Sequence, residues 1–249
     1  MTLQVENLAG ERYVGTAFLA IKEGVAVTAW HVVADARRVT ARFGDNLFAD
    51  VLGVIDKDER SDLALVRVCI SDRARVRLAT ADPAIGARAY VIGAPKGYDF
   101  SITDGLVSQI RTVAGIKQYQ ISCPISEGNS GGPVVNERGE IIGVTAWTQA
   151  DANNLSFAIP SARLSALKPS LGCKSWAELS KSKPMTRHAS AAKRPGNMVR
   201  TADPESTWSH LKNMLGDTPG EEVSVIVLKH GEARCFNFVP PDRTAGDSR

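Results

Sequence analysis

Short apolar runs recur along the first two thirds of the chain, and Gly, Asp, Asn or Pro residues separate them. The runs are rich in Val and Ile, and no long helical period lies between them. This spacing predicts an all-β barrel or sandwich. Residues 161–171 differ from the rest and favour a short closing helix. The predicted strands cover 14–21, 24–30, 39–43, 49–55, 63–68, 88–93, 105–110, 119–122, 133–136, 140–147 and 155–160.

The amino-acid composition of the chain changes near residue 169. Between residues 173 and 200 there are seven Lys or Arg residues against one acid, with Ser, Pro and Ala between them. This composition is typical of a solvated linker, which we place at 170–204. A contact with nucleic acid or lipid here is the less favoured alternative, because Trp176 is the one aromatic residue available for stacking.

Regular structure is predicted to return after residue 204 as a small α+β appendage at 205–241. A helical arrangement puts Trp208, Leu211 and Leu215 on one face. The two segments that follow alternate between apolar and polar residues and suit strands joined by a turn. The predicted segments are a helix at 206–215, strands at 222–231 and 232–240, and a frayed tail at 242–249.

The composition is that of an ordinary globular protein. Of the 249 residues, 43% are hydrophobic and 23% are charged, which excludes wholesale disorder and fibrous chains. The net charge of +3 gives no reason to expect a nucleic-acid partner. No run approaches the ~20 apolar residues of a membrane span. The sequence contains no metal-ligand cluster and no phosphate-binding loop, so we expect no metal and no cofactor.

The first residues and the cysteines bear on the cellular compartment. Residues 1–20 have no basic segment followed by an apolar one, so they do not resemble a signal peptide, and a cytoplasmic protein is predicted. The four cysteines, Cys69, Cys123, Cys173 and Cys235, are widely spaced. This spacing favours free thiols, with disulfide pairing as the alternative.

Three polar residues stand at the ends of predicted strands. His31 follows the run 24–30, Asp62 opens the run 63–68, and Ser130 lies in the turn GlyAsnSerGlyGly. Acyl transfer requires a base to take the serine proton, and imidazole does this well near neutral pH. A carboxylate can hold the imidazole in the useful tautomer, and backbone N–H groups can bind the developing oxyanion.

Each of these residues alone is weak evidence for catalysis. A single His after an apolar strand is most often structural, and a single Asp before a strand is most often a turn residue. Together they are specific, because the chain order His, Asp, Ser is that of chymotrypsin-type enzymes. The separations of 31 and 68 residues suit a base and an acid on one barrel and a nucleophile on the next.

The segments around these residues resemble trypsin-like serine proteases of the HtrA (Deg) type. TAWHVV is similar to the TNxHVV segment of that family, SDLALVRV to DxDLALLKV, and EGNSGGPVVNERGEIIGV to PGNSGGPLLNxxGxVIGI. The resemblance covers about residues 12–165. It implies a protease domain at 1–169 that is built of two six-stranded antiparallel β-barrels, with the active site in the cleft between them.

The resemblance implies a role for each site residue. His31 is expected to be the general base, Asp62 the residue that orients it, and Ser130 the nucleophile. The backbone N–H groups of Gly128, Asn129 and Ser130 are expected to form the oxyanion hole.

The same resemblance places a substrate pocket near the nucleophile. The implied S1 residues carry no charge that could hold a basic side chain, which favours a small or aliphatic P1 residue. They are Cys123, Pro124, Leu155, Ser156 and Phe157.

The C-terminal region resembles the closing part of a PDZ domain, the module that often follows HtrA proteases. The opening part, with the loop that holds a peptide carboxylate, is missing in recognisable form. Residues 205–241 therefore have three interpretations: a degenerate PDZ-like module, a docking appendage, or a disordered tail. The family resemblance also suggests a homotrimer, although few aromatic residues precede the first barrel.

Two classes of function remain open at this stage. The favoured one is a serine endopeptidase that acts on polypeptides through an acyl-enzyme, in protein quality control or regulated proteolysis. The alternative is a catalytically latent or non-enzymatic protease-like module, a binding protein or chaperone, that is regulated by its C-terminal region.

Overall fold

The computed structural model describes residues 1–94, 100–148, 156–181, 223–229 and 232–238. The chain divides into two compact units. The first contains Met1–Val68 and Asp72–His188, and the second contains Cys69–Ser71 and Ala189–Arg249.

The first unit is built almost entirely of strands. Among its described residues the helices are α1 (Trp30–Val33) and α2 (Trp176–Lys181), and a 3₁₀ helix covers Ser161–Ala166. Its strands are β1 (Thr2–Asn7), β2 (Arg12–Thr16), β3 (Phe18–Leu19), β4 (Val25–Ala29), β5 (Ala36–Arg42), β6 (Phe48–Asp58), β7 (Leu63–Val68), β8 (Arg88–Gly93), β9 (Ser101–Val113), β10 (Ile116–Ile121), β11 (Pro133–Val135), β12 (Ile141–Thr148), β13 (Ser156–Pro160) and β14 (Lys174–Ser175).

The N-terminal strands form one antiparallel sheet that curls without closing. Its strand order is β2-β1-β5-β6-β7-β4-β3, with β14 added to β6. Strand β4 pairs with β7, so that Ala29 lies opposite Leu63. This register brings the segment after β4 next to the segment before β7. His31 and Asp62 belong to these two segments.

The second sheet is a closed six-stranded barrel. Its order is β10-β13-β12-β11-β8-β9, and every pairing is antiparallel. The alternating strands turn their apolar residues inward, and Val91, Val107, Tyr119 and Ile121 are almost fully buried. The prediction of a mostly β, chymotrypsin-like double-barrel fold is confirmed, although the first barrel is open where six closed strands were expected.

An apolar cluster joins the two sheets. Val27 and Leu65 from the first sheet pack in one cluster with Val144 and Ile159 from the second. Each fully buried aliphatic side chain of this kind stabilises the fold by about 1.5–3 kcal/mol. The cluster fixes the two sheets against each other, and with them the segments that carry the predicted site residues.

The ordered first unit extends beyond residue 169, where the sequence predicted a linker to begin. Strand β14 pairs with β6, and α2 follows directly. The indole N–H of Trp176 donates to the carbonyl of Val51 at 2.6 Å, and Trp176 is buried. Residues 174–181 are therefore part of the fold, because strand pairing and a buried aromatic ring outweigh the polar composition of the stretch.

The second unit contains an antiparallel hairpin of β15 (Val223–Lys229) and β16 (Glu232–Phe238). These strands coincide with the two that the sequence predicted in this region. The predicted helix at 206–215, most of the predicted linker and the tail at 242–249 lie outside the described residues.

Candidate active site

A two-point contact joins His31 to Asp62. The carboxylate of Asp62 accepts hydrogen bonds from the backbone N–H of His31 at 2.8 Å and from its ring Nδ1 at 2.6 Å. The backbone carbonyl of Asp62 also accepts the N–H of Trp30 at 3.0 Å. These three bonds fix the position and the plane of the imidazole.

The same contact decides which ring nitrogen of His31 carries hydrogen. An ionised carboxylate can only accept a hydrogen bond, so Nδ1 donates and Nε2 of the neutral ring is left as an acceptor. The His31 side chain is 49% exposed and the Asp62 side chain is 30% exposed. The imidazole is therefore accessible to a group that could give up a proton.

A buried polar network holds the segment that carries Asp62. Asp62 itself has a left-handed backbone with φ of 55°, which is uncommon outside glycine. The residue before it, Ser61, is buried, and its N–H donates to the carboxylate of Asp58 at 3.1 Å. Arg163 of the 3₁₀ helix donates to Asp58 at 2.7 Å and to the Ser61 hydroxyl at 2.5 Å. The network ties this segment to the end of the second barrel.

The network also shifts the pKa of Asp58. Burial by itself would raise the pKa of this carboxyl group, but hydrogen bonds from Ser61 and Arg163 and the positive charge of Arg163 outweigh that effect. They hold the pKa of Asp58 below its usual value of 3.8. Asp58 therefore stays ionised, which keeps the link to Arg163 intact at neutral pH.

Ser130 follows a tight turn. The N–H of Asn129 donates to the carbonyl of Ser126 at 3.0 Å, and Gly128 has φ of 96°. A hydrogen bond between the first and fourth residues, with positive φ at the third, is the signature of a type II turn. Glycine meets this requirement without steric cost at Gly128.

The residue after the serine also requires glycine. Gly131 has φ of 81°, and a Cβ atom there would lie 2.3 Å from the hydroxyl oxygen of Thr28 and 2.5 Å from the carbonyl oxygen of Thr16. The turn is therefore pressed directly against the first sheet. This close approach explains why glycine directly follows Ser130 in the sequence.

Two threonine hydroxyls hold carbonyl groups of this turn. The hydroxyl of Thr16 donates to the carbonyl of Gly128 at 2.7 Å, and the hydroxyl of Thr145 donates to the carbonyl of Asn129. The backbone N–H of Thr16 donates to the carbonyl of Ser130 at 2.9 Å. Three successive carbonyl oxygens are thus engaged by Thr16 of β2 and Thr145 of β12.

Two N–H groups of the turn remain available. Within the part of the chain that the structure describes, the amides of Gly128 and Ser130 donate to no protein acceptor. The amide of Asn129, expected from the sequence to complete the set, instead closes the turn onto Ser126. Two free N–H groups beside a serine hydroxyl can together bind a negatively charged oxygen.

The predicted S1 residues lie in different surroundings. Cys123 is fully buried in the core of the second barrel, where its thiol contacts the carbonyl of Ala89 at 3.3 Å. Pro124 is exposed, whereas Ser156 and Phe157 of β13 are buried. Leu155 lies outside the described residues. Cys123 therefore belongs to the core and is closed to solvent, and this burial raises its pKa to about 11.

Four supporting residues carry no strong signal in the sequence. Hydrogen bonds of Ser61 and Arg163 stabilise the segment that carries Asp62, and hydrogen bonds of Thr16 and Thr145 stabilise the turn next to Ser130. The two threonines carried a weak signal, because each interrupts an apolar strand, where a buried hydroxyl must find a partner. Among the described residues, no group of three or more His, Cys, Asp or Glu side chains could hold a metal ion.

Residues 15–144 match the trypsin-like peptidase domain family. Similar curated proteins include a probable periplasmic DegP-like serine endoprotease of Pseudomonas fulva, 36% identical over 156 residues, and the putative serine protease HhoB of Synechocystis, 34% identical over 161 residues. The matches cover 59% and 60% of this chain, but only 32% and 38% of the relatives. The chain thus spans about a third of the length of these relatives.

A solved structure has the same fold. The Rv3671c protease of Mycobacterium tuberculosis, in its active form, superposes with a TM-score of 0.64 at 22% sequence identity, over 70% of this chain and 80% of that one. Together with the matched domain, these findings establish that the chain belongs to the trypsin-like serine peptidases.

The predicted cytoplasmic location is wrong. DegP-like relatives from two Pseudomonas-type bacteria are named periplasmic, and Cys69 takes part in a disulfide bond, whereas Cys123 and Cys173 are free. Disulfides persist in oxidising compartments, so both findings point to an exported protein. The sequence argument failed because it relied on residues that form β1 and β2 of the folded barrel, and such strands carry no information about export.

Over the described residues, no helix has the length and apolar character to cross a membrane.

Proposed function

We propose that the protein is a serine endopeptidase in which Ser130 is the nucleophile, His31 the general base and Asp62 the residue that orients the base. The observation that carries this proposal is the two-point contact between Asp62 and His31. It leaves Nε2 of the imidazole as the acceptor for the proton of a serine hydroxyl. The glycine-lined turn of Ser130 supports the proposal, because it leaves the amides of Gly128 and Ser130 without protein acceptors among the described residues.

The proposed reaction has two halves. Ser130 Oγ attacks the peptide carbonyl carbon while its proton passes to His31, and the amides of Gly128 and Ser130 bind the negative oxygen. The C–N bond then breaks as His31 returns the proton to the leaving amine, which gives an acyl-enzyme. Water, deprotonated by His31, attacks the ester and releases the acid together with a regenerated serine. No cofactor is needed for either half.

We further propose that the substrates are unfolded or exposed polypeptide segments, and that small or aliphatic residues are preferred at P1. A role in protein quality control rests on the resemblance to HtrA-type proteases, and the DegP-like relatives are themselves named periplasmic serine endoproteases. The P1 preference rests on Pro124, Ser156 and Phe157, which bring no charge to the predicted pocket. Cleavage of Val and Ala peptides several times faster than of Arg and Lys peptides is expected in a peptide-library assay, and the reverse order would contradict the preference.

The experiment that tests the proposal is labelling with a fluorophosphonate probe. The wild-type protein should be labelled at Ser130, as mapped by mass spectrometry of the labelled peptide. Ser130→Ala and His31→Ala should abolish labelling and peptide hydrolysis while Tm stays near the wild-type value.

Ser165→Ala is a matched control. Ser165 is exposed, and its hydroxyl only reaches the carbonyl of Ala162, so this variant should react like the wild type. A well-folded wild type that neither reacts with the probe nor cleaves peptides would contradict the proposal. That outcome would favour the non-enzymatic, protease-like binding module.

A further inference from the structure

Two buried threonines face the turn of Ser130 from opposite sheets. Thr16 belongs to β2 of the first sheet and is 3% exposed, and Thr145 belongs to β12 of the second barrel and is 1% exposed. Their hydroxyls bond the carbonyls of Gly128 and Asn129, which are consecutive in the chain. The turn is thus held from two sides by one side chain of each sheet.

The direction of the Thr16 hydroxyl bond is fixed by its neighbours. The N–H of Ala94 donates to the Thr16 oxygen at 3.1 Å. Because an N–H can only donate, the single hydroxyl hydrogen of Thr16 is committed to the carbonyl of Gly128 at 2.7 Å. The other end of the same peptide unit, the N–H of Asn129, is bonded to Ser126. The peptide between Gly128 and Asn129 is therefore held at both its oxygen and its nitrogen.

Thr145 acts on the next peptide unit. Its hydroxyl lies nearest the carbonyl of Asn129 and also 3.2 Å from the carbonyl of Gly132. The Asn129 carbonyl also accepts the N–H of Gly132 at 2.9 Å. A trans peptide is planar, with its C=O and N–H pointing in opposite directions. Holding the carbonyl of Asn129 therefore aims the N–H of Ser130, one of the two donors available to bind a developing oxyanion.

The main chain of both threonines strengthens this arrangement. The N–H of Thr16 bonds the carbonyl of Ser130 at 2.9 Å, and Thr145 exchanges two backbone bonds with Gly131 and Gly132, at 2.9 and 2.8 Å. The backbone bonds hold the turn in place whatever the side chain is. The hydroxyls add what the backbone cannot supply, namely the orientation of two particular peptide planes.

We propose that Thr145 is a positioning residue for the oxyanion-binding N–H of Ser130, and that Thr16 positions the backbone between the two donors by holding the peptide between Gly128 and Asn129. This inference rests on the proposed function of Ser130. Donors that are already aimed at the transition-state oxygen stabilise it without reorganisation, and they act on the transition state more than on the bound substrate. Loss of either hydroxyl should therefore lower kcat and leave KM nearly unchanged.

The test compares Thr16→Val and Thr145→Val with Thr16→Ser and Thr145→Ser. Valine keeps the shape of threonine and removes the hydroxyl, whereas serine keeps the hydroxyl. Removal of a whole oxyanion donor costs on the order of 10²–10³ in kcat, and misaiming one should cost about tenfold. Each valine variant should show that loss with KM within about twofold of wild type, and each serine variant should recover most of kcat.

A peptide boronate provides a readout that a purely structural role would not change. Its tetrahedral adduct with Ser130 places an oxygen in the oxyanion site, so its Ki should rise by the same factor as kcat falls. All rates are normalised to the fraction of sites that react with the fluorophosphonate probe, which removes the effect of partial unfolding. If a valine variant does not fold, the corresponding alanine variant takes its place.

Thr2→Val is the matched control. Thr2 of β1 is buried, and among the described residues its hydroxyl has no hydrogen-bond partner. This variant should keep kcat per active site and boronate Ki within about twofold of wild type. Unchanged kcat and boronate Ki in both valine variants, with an active wild type, would overturn the proposal while the function of Ser130 stands. A wild type that is not labelled and does not hydrolyse peptides would overturn the function, and this inference with it.

Discussion

At the residue scale, the geometry of the site depends on the conformation of single residues. Asp62 has φ of 55°, and its carboxylate reaches both the backbone and the ring of His31 from that backbone geometry. Its carbonyl bond to Trp30 and the supporting bonds of Ser61 stabilise a conformation that would otherwise cost free energy. One acidic residue thus fixes both the position and the tautomer of the histidine.

The prediction at this scale is that Asp62→Asn keeps the fold but inactivates the protein. An Asn side chain can donate its N–H to Nδ1, which would leave Nε2 protonated and unable to take the serine proton. In chymotrypsin-type triads this change lowers kcat by about 10⁴, and a similar loss is expected here in a peptide-hydrolysis assay. Asp50→Asn, at an exposed position of β6, is the control and should retain wild-type kcat. Full activity of Asp62→Asn would exclude the proposed role of Asp62.

At the element scale, the 3₁₀ helix supports a segment of the opposite sheet. Arg163 reaches Asp58 and Ser61 across more than a hundred residues of sequence. The pKa of Asp58 lies below its usual value because the bonds and charge of these partners outweigh the opposing effect of burial. A carboxyl group with a lowered pKa in the folded state adds stability above its unfolded-state pKa, and this stability is lost as the pH falls through the folded-state pKa.

The prediction at this scale concerns Asp58→Asn. The variant should have a lower Tm than the wild type at pH 7, where Asp58 contributes stability. The difference in Tm should shrink as the pH falls below about 4, because protonation removes the same contribution from the wild type. Thermal unfolding curves of both proteins, recorded at pH values from 7 to 3, measure this difference in Tm. A difference in Tm that stays constant over the whole range would show that the charge of Asp58 has no part in the effect.

At the scale of the whole molecule, Cys69 takes part in a disulfide bond. The residue directly follows β7 and belongs to the second compact unit. A disulfide stabilises mainly by restricting the unfolded chain, typically by about 2–4 kcal/mol. Its loss should therefore lower Tm without touching the residues proposed for catalysis.

The prediction at this scale is that dithiothreitol lowers the Tm of the wild type and that Cys69→Ser has the same lower Tm without the reductant. Adding dithiothreitol to Cys69→Ser should have no further effect. Cys173→Ser is the matched control, because Cys173 is a free thiol, and it should respond to the reductant as the wild type does. Equal Tm values with and without reductant for the wild type would contradict the prediction.

The strand alternation in the amino-acid sequence determined the β character of the chain, because it is a local pattern. The segments around His31, Asp62 and Ser130 indicated the double-barrel class and the family through their resemblance to trypsin-like proteases. The sequence also located the two strands at 223–229 and 232–238 to within a few residues. Only the tertiary structure decided that the Asn129 amide closes a turn, that Cys123 lies in the core, and that Trp176 anchors a stretch read as linker. The contacts of Thr16, Thr145 and Arg163 also belong to the tertiary structure. Thr16 and Arg163 join groups 112 and 105 residues apart, so their bonds depend on how the two sheets pack. The bond of Thr145 spans 16 residues and depends on how the second barrel closes, and no local pattern encodes either arrangement.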